Sequence, residues 1–307
     1  MGRRTGRSDG VHRARYYPVW PRPNQAAHVM SWRDWTDHGI ESQFNPRLAV
    51  GDAAESWLSG WAEQSLRRQA ELGGDFDIAY GAHKLMRFDY APGDVGLPVI
   101  INIHGGYWRA LDKSAMMHHM ADLAGTGFGI VNVNYPLCPE VTLTEIMACL
   151  NDGMAAIVAH VDAQTQPRRF ILMGHSAGAH MAMHLSHHPA LKDRLAGVVA
   201  LSGIYETSVV CELSVNADVR LSGDEADRWD CLKQMPASGP SYYICAGGAE
   251  PSGWIDQSWI MAEALLRRGD DVHFHISGGA HHFSLVDWLC DGDNPEGAKL
   301  HRWMAGR

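Results

Sequence analysis

From residue 84 onward, short apolar runs alternate with longer stretches of helical periodicity. The apolar runs are rich in β-branched and aromatic residues, and several are apolar at consecutive positions, which is typical of strands covered on both faces. We predict seven strands, at 85–91, 98–105, 129–135, 169–175, 196–203, 241–247 and 272–277. Helical spacing occurs at 115–124, 143–162, 177–188 and 256–268. This alternation predicts an α/β fold with a mostly parallel central sheet and helices on both faces.

Three segments fall outside this alternation. Residues 31–80 have helical and irregular character, and residues 204–240 are rich in polar residues and leave the sheet, so that they could form part of a lid. The first 22 residues carry six arginines against one acid, Asp9, and no apolar stretch follows them. We interpret residues 1–29 as a disordered basic tail, or as an extension upstream of a natural start at Met30.

Composition limits the classes of protein to consider. The chain has 307 residues, 46% hydrophobic and 20% charged, without a repeat or a linker near its middle, and we expect residues 30–307 to form one domain. The net charge of -9 argues against nucleic-acid binding, which requires clustered Lys and Arg. The longest apolar runs have strand length, which argues against a membrane span. Six cysteines without a CxxC pair or an export signal predict free buried thiols and a cytoplasmic location.

A serine lies in a glycine-rich turn between a predicted strand and a predicted helix. The turn is Gly174-His175-Ser176-Ala177-Gly178, the G-x-S-x-G pattern of a nucleophile elbow. Small residues are needed because a side chain at 174 or 178 would collide with the neighbouring strand or helix. The alternative is a glycine-lined turn with an incidental serine. We predict that Ser176 is a nucleophile.

A second glycine-rich turn follows the strand at 98–105. In His104-Gly105-Gly106, glycines let the backbone approach a substrate closely, as in the HGGG-type oxyanion loop. We predict an oxyanion hole formed by the N–H groups of Gly105, Gly106 and Ala177. Tyr107 and Trp108 follow, and we predict that both bind substrate; the alternative is that their rings cap the core.

A serine nucleophile needs a base and an acid, which in folds with this elbow follow it along the chain. Two histidines, His281 and His282, precede an amphipathic helix after the last strand, and we favour His282 because it lies directly before Phe283 and the helix. For the acid, we favour Glu250 in the loop after the preceding strand over Asp256, which starts the next helix and could serve as its cap.

Other histidines raise the question of a metal site. His180, His184, His187 and His188 share a helix, but the segment lacks the Glu of H-E-x-x-H, and we predict neither a metal nor a cofactor. His118 and His119 have the pattern of a solvated or partly buried helix surface.

Together these motifs resemble the kynurenine formamidase (arylformamidase) group of α/β-hydrolases. The stretches that carry the resemblance are "HGGYW" at 104–108, "GHSAGAH" at 174–180, "FNPR" at 44–47, "FDIAYG" at 76–81 and "HHFSLVD" at 281–287. In that group the histidine directly before Phe is catalytic, which supports His282. The acid eight residues before the serine of a Gln-Ser pair is matched by Glu250 and Gln257-Ser258, although animal members place Asp where this chain has Glu250.

The resemblance implies an α/β-hydrolase fold and a serine hydrolase that converts N-formyl-L-kynurenine to L-kynurenine and formate, a step of tryptophan catabolism, without a cofactor. Two alternatives stay open. One is a carboxylesterase for small acyl esters, and the other is a binding protein of the same fold without catalysis. The predicted partner is a small-molecule substrate, not nucleic acid or membrane, and a homodimer is left open.

Overall fold

One eight-stranded sheet forms the centre of the molecule. The computed structural model describes residues 39–307, so the predicted tail at 1–29 lies outside the described residues. The strands, in chain order, are β1 (Asp75–Ala79), β2 (Arg87–Ala91), β3 (Val99–Ile103), β4 (Gly129–Val133), β5 (Phe170–His175), β6 (Leu195–Leu201), β7 (Ser241–Gly247) and β8 (Val272–Ser277).

The strand order across the sheet is β1-β2-β4-β3-β5-β6-β7-β8. Strand β2 is antiparallel to both β1 and β4, and the six strands from β3 to β8 run parallel to one another. The mostly parallel sheet is therefore confirmed, and each of the seven predicted strands overlaps one of β2 to β8. Strand β1 was missed inside the segment assigned as helical and irregular.

Eleven helices are present within residues 39–307. They are α1 (Gly39–Phe44), α2 (Pro46–Val50), α3 (Ala53–Arg68), α4 (Met117–Gly125), α5 (Leu143–Gln164), α6 (Ala177–Leu185), α7 (Asn216–Val219), α8 (Gly223–Arg228), α9 (Ser252–Arg268), α10 (Ser284–Cys290) and α11 (Pro295–Ala305). All four helices predicted by periodicity are observed, as α4, α5, α6 and α9.

The core is divided between the two faces of the sheet. On β3, Ile101 and Ile103 face one cluster of buried side chains and Ile100 faces the other, as the alternation of a strand requires. Helices α5, α6 and α9 supply buried residues to the first cluster, and α3, α4, α10 and α11 supply the second. This two-sided burial explains why the central strands are apolar at most positions.

Helix α5 is, by length and composition, apolar enough to cross a bilayer. It begins at a capping box, in which Thr142 Oγ1 accepts the Glu145 N–H and the Glu145 carboxylate accepts the Thr142 N–H. One face of the helix is buried in the core, through residues such as Leu150, Met154 and Ile157. Its apolar composition is accounted for by this packing.

The polar-rich segment 204–240 connects β6 to β7. It contains a 3-10 turn at Thr207–Glu212 and the short helices α7 and α8, and several of its apolar side chains join the core. Residues Leu213, Ser214 and Val215 face a cavity at the carboxyl ends of the parallel strands. That this segment acts as a lid stays a prediction.

Candidate active site

Ser176 lies in a strained turn between β5 and α6. Its φ of 57° is positive, which is unfavourable for a residue with a Cβ, and its N–H donates to the Leu201 carbonyl at 2.8 Å. A Cβ added at Gly174 would lie 2.2 Å from backbone atoms of Gly178, and one at Gly178 would lie 2.0 Å from the Ile103 carbonyl oxygen on β3. The two glycines are therefore needed on steric grounds, as the sequence pattern predicted.

His282 and Glu250 form a buried pair next to this turn. His282 Nδ1 lies 2.5 Å from Glu250 Oε1, and both side chains are almost completely buried. The second carboxylate oxygen of Glu250 accepts hydrogen bonds from the Ser202 hydroxyl and, at 2.6 Å, from the Gly247 N–H. These bonds fix the carboxylate, which in turn fixes the tautomer of His282 with Nδ1 protonated and Nε2 free to accept a proton.

The two residues that the sequence left as alternatives lie elsewhere. His281 Nδ1 accepts the N–H groups of Phe283 and Ser284 at the start of α10, at 3.3 and 3.2 Å, so this ring caps the helix. Asp256 lies within α9 rather than in the loop that carries Glu250. The structure thus brings Glu250 and His282 together.

Aromatic rings enclose the His282 imidazole. The ring centroids of Trp254 and His175 lie 4.3 and 4.4 Å from that of His282. Burial lowers the pKa of His175 well below its usual value, so that this ring is neutral at pH 7 and places no second positive charge beside His282.

His104 fixes the predicted oxyanion loop from inside the protein. Its Nε2 lies 3.0 Å from Asn134 Oδ1 and its Nδ1 lies 2.8 Å from the Gly105 carbonyl oxygen. The Tyr135 ring stacks on the imidazole at 4.2 Å, and the Tyr135 hydroxyl donates to the His104 carbonyl at 2.7 Å. Burial lowers the pKa of His104, which keeps this support neutral.

The loop brings glycine backbone next to the serine. A Cβ added at Gly105 would lie 3.2 Å from Ser176 Cβ and 2.7 Å from the His175 carbonyl oxygen, and Gly106 has a positive φ of 102°. Within residues 39–307, the N–H groups of Gly105, Gly106 and Ala177 donate no hydrogen bond. Ala177 is also the first residue of α6, where unpaired N–H groups favour negative charge.

The two aromatic residues after the glycines have different environments. Tyr107 lines the cavity, and its hydroxyl donates to the Phe44 carbonyl. The prediction that Trp108 binds substrate is corrected by the structure: Trp108 is completely buried in the core and packs edge-on against His180 at 5.2 Å. Tyr107 and Trp108 have successive positive φ angles of 50° and 56°. They form the turn that directs the Trp108 ring into the core.

Ser176 and His282 lie in the wall of one cavity of about 130 Å³. Most of the wall is apolar or aromatic, and polar and charged residues contribute the remainder. The lining also includes Phe44, Leu58, Trp61, Tyr107, Leu111, Leu213, Val215 and Phe283, with Glu41, Arg47 and Arg109 as the charged members. A ligand with an aromatic body would be surrounded here by apolar side chains on several sides.

Four of the histidines considered as metal ligands form two pairs, His180 with His184 and His118 with His119. His180 and His184 both direct Nε2 at the Trp229 carbonyl oxygen, at 2.7 and 2.9 Å, which ties α6 to the 204–240 segment. In this arrangement both Nε2 atoms donate to the carbonyl oxygen. His118 and His119, predicted at a solvated or partly buried surface, are instead buried against Asp287, because α3 and α10 cover α4.

Sequence reasoning missed Ser202, which holds the Glu250 carboxylate, and the cavity walls formed by Trp61 and Leu213. A serine directly after a buried strand gave no distinguishing signal. The "FNPR" stretch at 44–47 did give a signal for the cavity in the sequence, because all four of its residues line the cavity.

Comparison with known proteins agrees with this architecture. A family model described as BD-FAE matches residues 90–221. The structure of a protein from Silicibacter sp. TM1040, described as a thioesterase candidate, superposes with a TM-score of 0.74 at 24% identity, covering 84% of this chain and 97% of that one. Esterase LipW from Mycobacterium marinum superposes with a TM-score of 0.58 at 18% identity, covering 87% and 90%. The sheet, the elbow and these neighbours define an α/β-hydrolase fold.

The similarities to curated proteins support a hydrolase of this fold. Among those proteins, the chain is similar to the kynurenine formamidases of Danio rerio, at 25% identity over 86% of this chain and 94% of the relative, and of Salmo salar, at 24% identity over 85% and 94%. The resemblance predicted from the motifs is confirmed.

Proposed function

We propose that the protein is a serine hydrolase that cleaves N-formyl-L-kynurenine to L-kynurenine and formate. The observation that carries the proposal is the 2.5 Å contact between His282 Nδ1 and Glu250 Oε1, because His282 lines the same cavity as Ser176. A held imidazole beside a strained, buried serine is the arrangement that activates a hydroxyl nucleophile.

The reaction proceeds through a serine ester. His282 Nε2 takes the Ser176 hydroxyl proton as Oγ attacks the formyl carbon, and the imidazolium is stabilised by the Glu250 carboxylate. His282 then gives the proton to the aniline nitrogen as the C–N bond breaks, and L-kynurenine leaves. A water molecule, deprotonated by the same imidazole, attacks the formyl ester and releases formate and free Ser176.

Three backbone donors stabilise the negative charge that develops on the formyl oxygen. They are the N–H groups of Gly105, Gly106 and Ala177, which are free of other acceptors in the described residues. Each such donor contributes about 3–4 kcal/mol to transition-state stabilisation in a comparable serine hydrolase. The His104 and Tyr135 contacts hold the loop in place before substrate arrives, which keeps its reorganisation small.

The substrate class follows from the cavity and the relatives together. The wall offers Phe44, Trp61, Tyr107 and Phe283 to an aryl leaving group, and the relatives matched over most of the chain are named kynurenine formamidase. A carboxylesterase acting on small acyl esters is the second candidate, favoured by the solved esterases that share the fold.

The test is kcat/KM on N-formyl-L-kynurenine beside p-nitrophenyl acetate and butyrate, with Ser176→Ala as the blank. A value of about 10⁴ M⁻¹s⁻¹ or more on the formyl amide, absent in the blank, is the expected result. Ester turnover with negligible formyl-amide turnover would assign the protein to the carboxylesterases. Full activity in a folded Ser176→Ala protein would contradict the serine mechanism.

A fluorophosphonate probe separates these enzymes from a binding protein that has lost catalysis. We expect covalent labelling of Ser176 and none of Ser176→Ala. A folded wild-type protein that resists the probe would favour the binding protein. The cytoplasmic location stays a prediction.

A further inference from the structure

The "FNPR" stretch at 44–47 has a structural role at the cavity that catalysis does not account for. Phe44 is completely buried and packs against Trp254 at a centroid distance of 5.8 Å. Asn45 Oδ1 accepts the N–H groups of Arg47 and Leu48, at 3.1 and 3.2 Å, and so caps α2. Pro46, at the first position of α2, favours the same start. The stretch therefore fixes the backbone that presents Arg47.

The neighbouring acid of the wall is already occupied. The Glu41 carboxylate accepts the Ser214 N–H at 2.8 Å, the Ser214 hydroxyl at 2.7 Å and the Asn45 side-chain amide at 2.9 Å. Burial acts to raise the pKa of Glu41, but these hydrogen bonds outweigh burial and lower the pKa. Glu41 thus joins α1 to the 204–240 segment. Its negative charge is stabilised by the Ser214 and Asn45 donors.

The two arginines of the wall differ in how well they are paired. Arg109 donates to Asp218 at 2.8 Å. Among the described residues, the carboxylate near Arg47 is that of Glu55, at 3.7 Å, and these two side chains are 63% and 80% exposed. An ion pair this long and this exposed contributes little, so the Arg47 guanidinium can exchange it for another carboxylate.

We propose that Arg47 binds a carboxylate of the substrate, at the end remote from the acyl group that Ser176 attacks. The apolar walls would hold the aryl body between these two ends, and the planar guanidinium offers a carboxylate two parallel N–H groups. The assignment rests on the proposed function, in which the leaving group is an amino acid, and it makes Arg47 a residue that determines specificity.

Two pairs of substrates test the assignment. The first pair is N-formyl-L-kynurenine and 2-formamidoacetophenone, which keeps the formyl anilide and the ketone but lacks the amino-acid head. The second pair is 3-(4-acetoxyphenyl)propanoate, an aryl acetate whose leaving group carries a carboxylate, and 4-ethylphenyl acetate, whose leaving group does not. The variants are Arg47→Ala, Arg47→Lys and, as the matched control, Arg67→Ala, an exposed arginine of α3 that pairs with Glu63 and does not line the cavity.

For Arg47→Ala we expect kcat/KM to fall about 10- to 100-fold on the carboxylate-bearing member of each pair, mainly through KM. The neutral member should change by no more than about twofold, as should every substrate with Arg67→Ala. Arg47→Lys should recover part of the loss, because it keeps the charge without the two parallel donors.

Equal losses on both members of a pair, or no loss on the charged member, would overturn the role of Arg47. A wild-type protein that hydrolyses neither formyl amide would instead overturn the proposed function. The ester pair then still decides on Arg47: a loss confined to 3-(4-acetoxyphenyl)propanoate supports carboxylate binding, and any other pattern rejects it.

Discussion

Glu250 is the side chain on which most of the site geometry depends. One carboxylate oxygen faces His282 Nδ1, and the other accepts two donors, the Ser202 hydroxyl and the Gly247 N–H. An amide at this position would point an NH₂ group either at the imidazole N–H or at these two donors. The site therefore requires a carboxylate at this position.

Glu250→Gln should therefore lower kcat by about 10³- to 10⁴-fold, the range expected when the group that orients the imidazole is lost, with a smaller change in KM. The matched control is Asp256→Asn, which alters the alternative acid on α9 and should keep most of the activity. Steady-state kinetics on the preferred substrate, with circular dichroism to verify folding, measures both. A larger loss in Asp256→Asn than in Glu250→Gln would show that the acid has been misassigned.

At the residue scale, what the sequence could predict depended on local constraint. Gly174 and Gly178 could be interpreted because their spacing already implies a tight turn around Ser176. The side-chain direction of Trp108 depends on two successive positive φ angles, which the sequence does not encode in any recognisable pattern. Ser202 becomes relevant only through the pairing of β6 with its neighbours, a long-range contact.

The same glycines allow a prediction about stability. Gly178→Ala puts a Cβ 2.0 Å from the Ile103 carbonyl oxygen, so we expect a loss of several kcal/mol or failure to fold. Gly60, within α3, has no heavy atom within 4 Å of an added Cβ. Gly60→Ala should raise the free energy of unfolding by about 0.5–1 kcal/mol, because alanine has less conformational freedom in the unfolded chain. Urea unfolding measures both changes, and a stable Gly178→Ala protein would contradict the packing of the elbow against β3.

At the scale of elements, Asp287 links three helices beneath the His282 loop. On α10, its Oδ1 accepts the Trp61 indole N–H of α3 at 2.8 Å and lies 2.5 Å from His119 Nε2 of α4. Burial acts to raise the pKa of Asp287, but the hydrogen bond from His119 and the His118 imidazole 3.7 Å away outweigh it and lower the pKa to about 2. The ionised carboxylate is thus stabilised in the folded state relative to the unfolded one.

The sign of the pH dependence follows from this lowered pKa. The folded-state pKa of Asp287 lies below the ordinary 3.8. The stability that the ionised carboxylate adds to the folded protein is therefore fully present above about pH 4, and it is lost as the pH falls toward 2. Asp287→Asn should lower the free energy of unfolding at neutral pH by roughly 2 kcal/mol, and the difference from the wild type should shrink below pH 4. Urea unfolding at several pH values measures this, with the exposed Asp52→Asn as control. If the difference in unfolding free energy between wild type and Asp287→Asn stayed constant down to pH 2, the ionisation of Asp287 would not contribute to stability.

Elements were predictable where burial gave them a clear pattern. Strands β3 to β7 are buried over nearly their whole length and were all identified. Strand β1 alternates between exposed and half-buried residues, as befits an edge strand, and it holds only a short apolar pattern in DFDIA. Helix α11 was also missed, although Asn294 caps it and Pro295 begins it, a start signal that the sequence did contain.

At the scale of the whole molecule, the two-sided sheet determines which side chains a reagent can reach. All six cysteines lie in the described part of the chain and none forms a disulfide; four are buried, and Cys149 and Cys211 are half-buried. Burial raises the pKa of the Cys138 thiol to about 12 and those of Cys231 and Cys290 well above 9, so the reactive thiolate is scarce there.

We therefore expect the native protein to expose two thiols to 5,5′-dithiobis(2-nitrobenzoate), and all six in concentrated guanidinium chloride. Serine at both Cys149 and Cys211 should remove the native reaction, which assigns it to these two positions. The buried thiols should then react only as fast as the protein unfolds, because each packs against a sheet that opens cooperatively. Rapid reaction of four or more thiols in the native protein would mean that one of the two core layers is open in solution, and would contradict the packing on which the active-site geometry depends.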